Sequence, residues 1–425
     1  MASDQPDRRR FLKRGAALAG GLTLGAIDPA LGPRPASAQS VEDQSQEVGD
    51  QSQEAPDYSS PELVAYGERS RHVTSHRIAH GGRPSPDEFD LVFHIATPLQ
   101  DQVGAITPSA LHYFGTTRGS FVPDIDPEEH RLLIHGMVDR ELIFTMEELK
   151  RFPSVTRLLF IECAGNRASR RHTTVQETHG MTSGAEWTGV LLRTLLEEAG
   201  VQEGGTWIVA EGVEEVKGAS SLPMAKAMDD ILVAYAMNGE PLRPQQGFPL
   251  RIVVPGFEGI LSVKWLRRIK VVDQFYMTYN DYGHLRRDTD DAALSFQIGP
   301  KSVITFPSGG QLLPNTGFHE IRGLAWSGGG AVSRVEVSTD GGESWVDADI
   351  RGTPQPMAHT AFSLNWTWDG TEAVLMSRCT DELGQVQPTR AQIAEFWGRP
   401  GVKGQDNSIQ PWRIDSDGSV HNALT

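Results

Sequence analysis

Of the 425 residues only two, Cys163 and Cys379, are cysteines, and their surroundings differ. Cys163 follows the apolar run Arg157-Leu158-Leu159-Phe160-Ile161 and precedes Ala164-Gly165-Asn166-Arg167. The run predicts a buried strand and the Gly-Asn pair a turn, so this thiol falls where a strand opens into a loop. A free cysteine is most often a small core hydrophobe. Here Arg167, Arg170, Arg171 and His172 follow in the same loop, and cations beside a thiol favour the thiolate, the form that binds metals or attacks electrophiles. The expectation is a metal-bound thiolate at Cys163 and a structural thiol at Cys379.

Other residues suit a bound anion. Arg251 sits inside the apolar stretch 248–256, where an unpaired charge is costly, so it should meet either a structural carboxylate or a cofactor phosphate. In Ser262-Val263-Lys264-Trp265-Leu266-Arg267-Arg268 cations again alternate with apolar positions. The loop Leu111-His112-Tyr113-Phe114-Gly115-Thr116-Thr117-Arg118-Gly119-Ser120 offers hydroxyls, backbone N–H groups and one cation, a weak phosphate-cradle signal. Tyr276, Tyr279 and Tyr282 form a phenol-dense run that suits either a site wall or aromatic packing. His72, His76, His80 and His94 lack the spacing of a ligand set and are expected to be exposed or hydrogen-bonded.

The elements that must position these groups alternate in type. Strands are expected at 131–136, 157–161, 206–210, 231–237 and 248–256. A short helix capped by Thr145 is expected at 145–151, another at 190–200 closed by Gly200, and a helical stretch at 223–230. Beyond about 300 the texture becomes short strands, at 302–306, 320–326, 332–338, 344–348, 362–368 and 373–380, with Thr339-Asp340-Gly341-Gly342 as a hairpin turn. That spacing predicts an antiparallel, immunoglobulin-like β-sandwich.

The N-terminus carries its own information. Arg8-Arg9-Arg10-Phe11-Leu12-Lys13 precedes an apolar run at 16–27, and Ala36-Ser37-Ala38 offers a cleavage site. This reads as a twin-arginine export signal, and the run is too short for the roughly 20 residues that span a bilayer. The expectation is a periplasmic or extracytoplasmic protein without membrane insertion. Residues 1–38 hold six basic and three acidic side chains; removing their net +3 from the chain's −16 leaves −19. Such a charge argues against nucleic acid and anionic membranes. At 43–47 and 50–54 Asp-Gln-Ser-Gln-Glu occurs twice in a polar, tether-like stretch.

Cys163-Ala164-Gly165-Asn166-Arg167, Glu186-Trp187-Thr188-Gly189-Val190, Gln246-Gly247-Phe248-Pro249-Leu250-Arg251, Val254-Pro255-Gly256 and Ser262-Val263-Lys264-Trp265-Leu266-Arg267-Arg268 stand in one order. In that order the chain resembles the sulfite oxidase family of molybdopterin enzymes. Ala325-Trp326-Ser327-Gly328-Gly329-Gly330 and Ser338-Thr339-Asp340-Gly341-Gly342-Glu343-Ser344-Trp345 are similar to that family's dimerisation domain. Within the family, Val122-Pro123-Asp124-Ile125-Asp126-Pro127, Thr178-His179-Gly180-Met181 and Glu258-Gly259-Ile260 resemble the SoxC-type sulfane and sulfite dehydrogenases.

The resemblance implies an α+β fold: a sulfite oxidase-type molybdopterin-binding domain at 58–295, then an immunoglobulin-like dimerisation domain at 296–412. A signal at 1–38, a disordered tether at 39–57 and a polar tail at 413–425 complete the expected plan. The cofactor implied is molybdenum–molybdopterin, with Cys163 as the metal ligand. Phe114, Gly115, Thr116, Thr117, Arg118, Glu215, Gln246, Arg251, Ser262, Val263 and Lys264 would hold the pterin and its phosphate. Arg118 and Arg167 would bind substrate, and Tyr282 would donate a hydrogen bond near the reacting oxygen. Three departures touch the substrate pocket. Gly115-Thr116-Thr117-Arg118-Gly119 replaces the usual Arg-Asn-His, Ala168 replaces an arginine, and no arginine stands at Ala361-Phe362-Ser363.

The activity implied is oxidation of an inorganic sulfur compound by a homodimer. No Cys-x-x-Cys-His occurs, so electrons are expected to leave to a separate c-type cytochrome rather than a haem on this chain. A sulfur-carrier protein is a further expected partner. Free sulfite, thiosulfate and carrier-bound sulfane all remain open as substrates. A molybdopterin sulfoxide reductase and a non-catalytic secreted binding protein are the rival readings.

Overall fold

The structure is a computed structural model; it describes residues 66–67, 69–84, 91–115, 122–213, 218–278, 296–397 and 405–424. The chain divides into a unit Met1–Arg69 and a unit Ser70–Thr425, and the second holds every helix and strand among the described residues. The expected signal and tether, and Thr116, Thr117, Arg118, Glu215 and Tyr282, lie outside the described residues.

Two five-stranded sheets build the first half. One has the order Leu142–Thr145, Arg131–Gly136, Leu266–Val272, Trp207–Gly212, Ala219–Pro223, and its only parallel pair joins Arg131–Gly136 to Leu266–Val272. The other is antiparallel and runs Glu240–Pro241, Leu232–Met237, Thr182–Leu191, Ser154–Glu162, with Arg251–Val253 also pairing to Leu232–Met237. Between them helix Leu192–Ala199 buries Leu192, Leu195, Leu196 and Ala199, a stripe at helical spacing. Gly200, at φ 74°, closes that helix as expected. The helix begins two residues later than the sequence suggests because Val190 and Leu191 are held in the ladder to Leu232–Met237. A capping box between Thr145 and Glu148 starts helix Met146–Arg151. Among the described residues no helix is long and apolar enough to cross a membrane.

Two antiparallel sheets make the second half. Lys301–Phe306, Gly317–Trp326, Thr360–Trp368 and Asp349–Arg351 form one; Val346–Asp347, Val332–Ser338, Ala373–Asp381, Trp412–Ile414 and Val420–Asn422 form the other. Along Ala373–Asp381 burial alternates, with Leu375, Ser377, Cys379 and Asp381 inward, as a sandwich demands. Cys379 is 1 % exposed and unbridged, the structural thiol expected.

The expected polar tail is corrected. Trp412–Ile414 and Val420–Asn422 form a hairpin that pairs to Ala373–Asp381 and extends its sheet. Trp412, Ile414 and Val420 are buried in it, an alternation that a mostly polar flanking sequence concealed. The two halves also share a core, since Leu99, Phe160 and Val175 pack with Trp326, Phe362 and Trp412.

Candidate active site

Ser154–Glu162 pairs in register with Thr182–Leu191 from Ser154↔Val190 to Glu162↔Thr182. The ladder ends there and the chain turns. Cys163 N donates to Met181 O at 3.0 Å, and Asn166 N donates to Cys163 O at 2.8 Å. Asn166 completes the turn from its side chain, donating to Glu162 Oε1 at 2.8 Å and accepting from Met181 N at 3.0 Å. The amide does both from separate atoms, Nδ2 donating and Oδ1 accepting, which is the local use of asparagine here.

Cys163 opens on a cavity of about 90 Å³. Ser262, Val263 and Lys264 form one wall, after the tight turn Gly259–Leu261; Tyr113, Gly115 and His94 form another. Gly218, Gly259 and Ile260 complete the lining. Lys264 Nζ donates to Gly115 O at 3.2 Å and stands 4.3 Å from the Phe114 ring centroid and 4.4 Å from that of Trp265. Trp265, fully buried, adopts a left-handed φ of 51°, a costly conformation for a bulky residue and one that gathers at functional sites. Ser262 Oγ accepts from Val254 N at 3.0 Å.

Gly115, Cys163, Ser262, Val263 and Lys264 therefore meet at one cavity, as the sequence suggests. Phe114 lies beneath the Lys264 ammonium. Gln246, 3 % exposed, sits behind the wall and donates to Tyr113 O at 3.0 Å.

Two expectations need correction. Among the described residues Arg251 meets no carboxylate, and it does not line the cavity: its guanidinium donates to the carbonyls of Ile252, Gln246 and Ser262, and stacks 5.0 Å over Trp187. Burial lowers its pKa to about 10, so it is still charged at neutral pH. Carbonyl dipoles converging on the guanidinium take the place of the expected structural carboxylate, and Arg251 braces the Ser262 wall from behind. The arginines after Cys163 also act otherwise than expected. Arg167, Arg170 and Arg171 are exposed, and the Cys163 thiol is pushed up to about 11, by burial first, with Glu258 and Glu162 adding to it and Gly165 N–H and Arg167 opposing. A metal, which deprotonates a coordinating thiol outright, is what would ionise it.

His94, Gly218, Gly259 and Ile260 are lining residues that the sequence does not single out for the site, and Tyr113 is singled out there only as part of the 111–120 loop. His94 had a signal: like Arg251 it interrupts an apolar strand, Leu91–Ala96. Its Nε2 lies 3.9 Å from Cys163 Sγ. Tyr113 remains a neutral phenol, its pKa raised by burial and then by Cys163. Asn422, at the end of the last strand, ties down the segment after Cys163: its Nδ2 donates to Ser169 O at 2.9 Å and His172 O at 2.8 Å, linking that segment to the C-terminal hairpin.

These residues fit an anionic, sulfur-ligated metal cofactor. A soft thiol faces a cavity with an ammonium and a hydroxyl across it, and Gly259 keeps space that a Cβ, 2.6 Å from Tyr113 Oη, would fill. Among the described residues no group of three or more His, Cys, Asp or Glu could hold an ion.

Residues 119–280 match the family described as oxidoreductase molybdopterin binding domain, and 293–402 match the Mo-co oxidoreductase dimerisation domain. Sulfite oxidase from Gallus gallus is 33 % identical over 335 residues, 70 % of this chain and 71 % of that protein. The chain belongs to the sulfite oxidase family. It is similar to the mitochondrial sulfite oxidase of Mus musculus, 32 % identical over 70 % of this chain, and spans 60 % of that protein's length. Among solved structures, the sulfane dehydrogenase SoxCD from Paracoccus pantotrophus matches with a TM-score of 0.75 and 34 % identity, over 88 % of this chain and 100 % of that one. Family membership implies a molybdenum–molybdopterin cofactor. Cys163 is then the residue suited to bind the metal, with Ser262 and Lys264 suited to the anionic end.

Proposed function

We propose that the protein oxidises an inorganic sulfur compound, sulfite or a carrier-bound sulfane, and passes the electrons to a separate c-type cytochrome. One observation carries this reading: Cys163 opens on a cavity faced by Lys264 and Ser262, in a chain that spans all of a sulfane dehydrogenase chain. When bound, the molybdenum centre supplies two-electron oxygen-atom transfer to sulfur. For sulfite the balance is sulfite plus water giving sulfate, two protons and two electrons.

The chain's own residues do the rest. Cys163 holds the metal through its thiolate, while Lys264 neutralises and Ser262 hydrogen-bonds the anionic end. Tyr113, kept neutral, offers a phenol proton at the cavity wall. Arg167, exposed and acting electrostatically on Cys163, raises the local concentration of anions against a net charge of −16. Arg118, with Arg167, is assigned to substrate binding, and Tyr282 to a hydrogen bond near the reacting oxygen. The dimerisation domain supports a homodimer, and Arg8-Arg9-Arg10 with its apolar run supports export by the twin-arginine route to the periplasm.

Protein purified from a molybdenum-replete host should contain about one molybdenum per chain and reduce cytochrome c with one of sulfite, thiosulfate or carrier-bound sulfane. Turnover only of sulfoxides with a reduced dye would replace this reading with a reductase. Cell fractionation tests the location.

A further inference from the structure

The turn that carries Cys163 is fixed from behind by the β-sandwich. Glu162, the residue before Cys163, is 2 % exposed, and both its oxygens are used. Oε1 accepts from Lys301 Nζ at 2.7 Å and from Asn166 Nδ2 at 2.8 Å; Oε2 accepts from Trp326 Nε1 at 2.6 Å. Lys301 Nζ also donates to Asn166 O at 2.5 Å. Lys301 and Trp326 stand opposite each other on adjacent strands of the second domain, in the register Lys301↔Trp326. Their partners, Glu162 and Asn166, bracket Cys163 in sequence.

A buried ion pair contributes little net stability against an apolar pair of similar size, because desolvation offsets the attraction. Two apolar side chains would hold the domains together as well. They would not fix a direction, because hydrophobic contact is non-directional. Three directed hydrogen bonds from the second domain, to Glu162 just before the thiol and Asn166 just after its turn, do fix one.

We propose that Lys301 and Trp326 are positioning residues for the Cys163 sulfur, so that the second domain sets the direction in which the thiolate faces the cofactor cavity. This rests on the reading of Cys163 as the metal ligand.

The test uses full-length Lys301→Met, Trp326→Phe and the pair Glu162→Gln with Lys301→Met, each produced with and without molybdopterin synthesis in the host. Trp326→Phe keeps the ring packing and removes one hydrogen bond, so it folds even where Lys301→Met does not. In cofactor-free chains, iodoacetamide labelling read by peptide mass spectrometry should find the Cys163 rate changed severalfold with Cys379 still protected. In loaded chains the thiolate-to-metal absorption band should shift. The paired variant should recover the melting temperature lost in Lys301→Met while its Cys163 rate stays altered. Wild-type labelling rates and bands in folded variants, or a paired variant that restores both stability and rate, would overturn the proposal. Absence of molybdenum from the wild-type protein would instead defeat the ligand reading, and the labelling arm would still report whether the sandwich orients the thiol.

Discussion

The imidazole Nε2 of His94 lies 3.9 Å from the sulfur of Cys163, and its cross-strand partner is Gly115, where a Cβ would come within 2.9 Å of the same ring. The ring occupies room that a side chain at 115 would need. Groups that touch a metal ligand orient it, and removing one typically costs about 10–100-fold in activity or metal affinity. His94→Ala is expected to lower kcat or molybdenum content in that range. Steady-state kinetics with metal analysis on the same preparation checks this, and values within twofold of wild type would show that the contact is incidental.

Lys264 supplies the positive charge facing the cavity. Lys264→Met keeps an apolar stem against Phe114 and Trp265 but loses the ammonium, so molybdenum per chain should fall about tenfold, in line with a lost charge-assisted hydrogen bond. Melting of chains made without cofactor should be unchanged. Full occupancy in the variant would place the anion's partner elsewhere.

Gly259 is a matter of space. An alanine there would put Cβ 2.6 Å from Tyr113 Oη and 2.8 Å from the backbone oxygen of Glu162. Overpacking of this kind costs about 1–3 kcal/mol. Gly259→Ala should therefore melt lower and carry less molybdenum, as calorimetry and metal analysis would record.

His359 predicts acid behaviour. Burial holds its imidazole far below the ordinary range, at about 3, whereas in the unfolded chain it titrates near 6.5. As pH falls below about 6.5 the unfolded state takes up a proton that the folded state refuses, so stability drops until about pH 3, by at most about 1.4 kcal/mol per pH unit. His112, also pushed by burial to about 3 against the Tyr113 carbonyl, adds a second such slope. His359→Gln keeps a partner for Thr182 Oγ1, which lies 2.9 Å from His359 Nε2, and removes one titration. Denaturant melts between pH 6.5 and 4 should show a shallower loss in the variant; equal slopes would count against the assignment.

Much of this was legible in the chain because it is local. Arg131–Gly136 and Val332–Ser338 follow from apolar alternation, and helix Met146–Arg151 follows from Thr145 and Glu148. The meeting of Cys163 with Ser262 and Lys264 was readable through ordered motifs rather than periodicity. What was not readable depends on distant partners. Arg251 was expected to meet an anion because a strand pattern says nothing of three carbonyls brought in from Ile252, Gln246 and Ser262. The arginines beside Cys163 in sequence turn to solvent, and burial decides the thiol's charge instead. His94 and Tyr113 reach the cavity only because a third, small sheet joins Phe114–Gly115 to Leu91–Ala96.

The last hairpin sets an order of events. Asn422 clasps the carbonyls of Ser169 and His172, so a nascent chain still lacking residue 422 has its cysteine loop untied. A chain cut short before 412 would lack that clasp on the segment that follows Cys163.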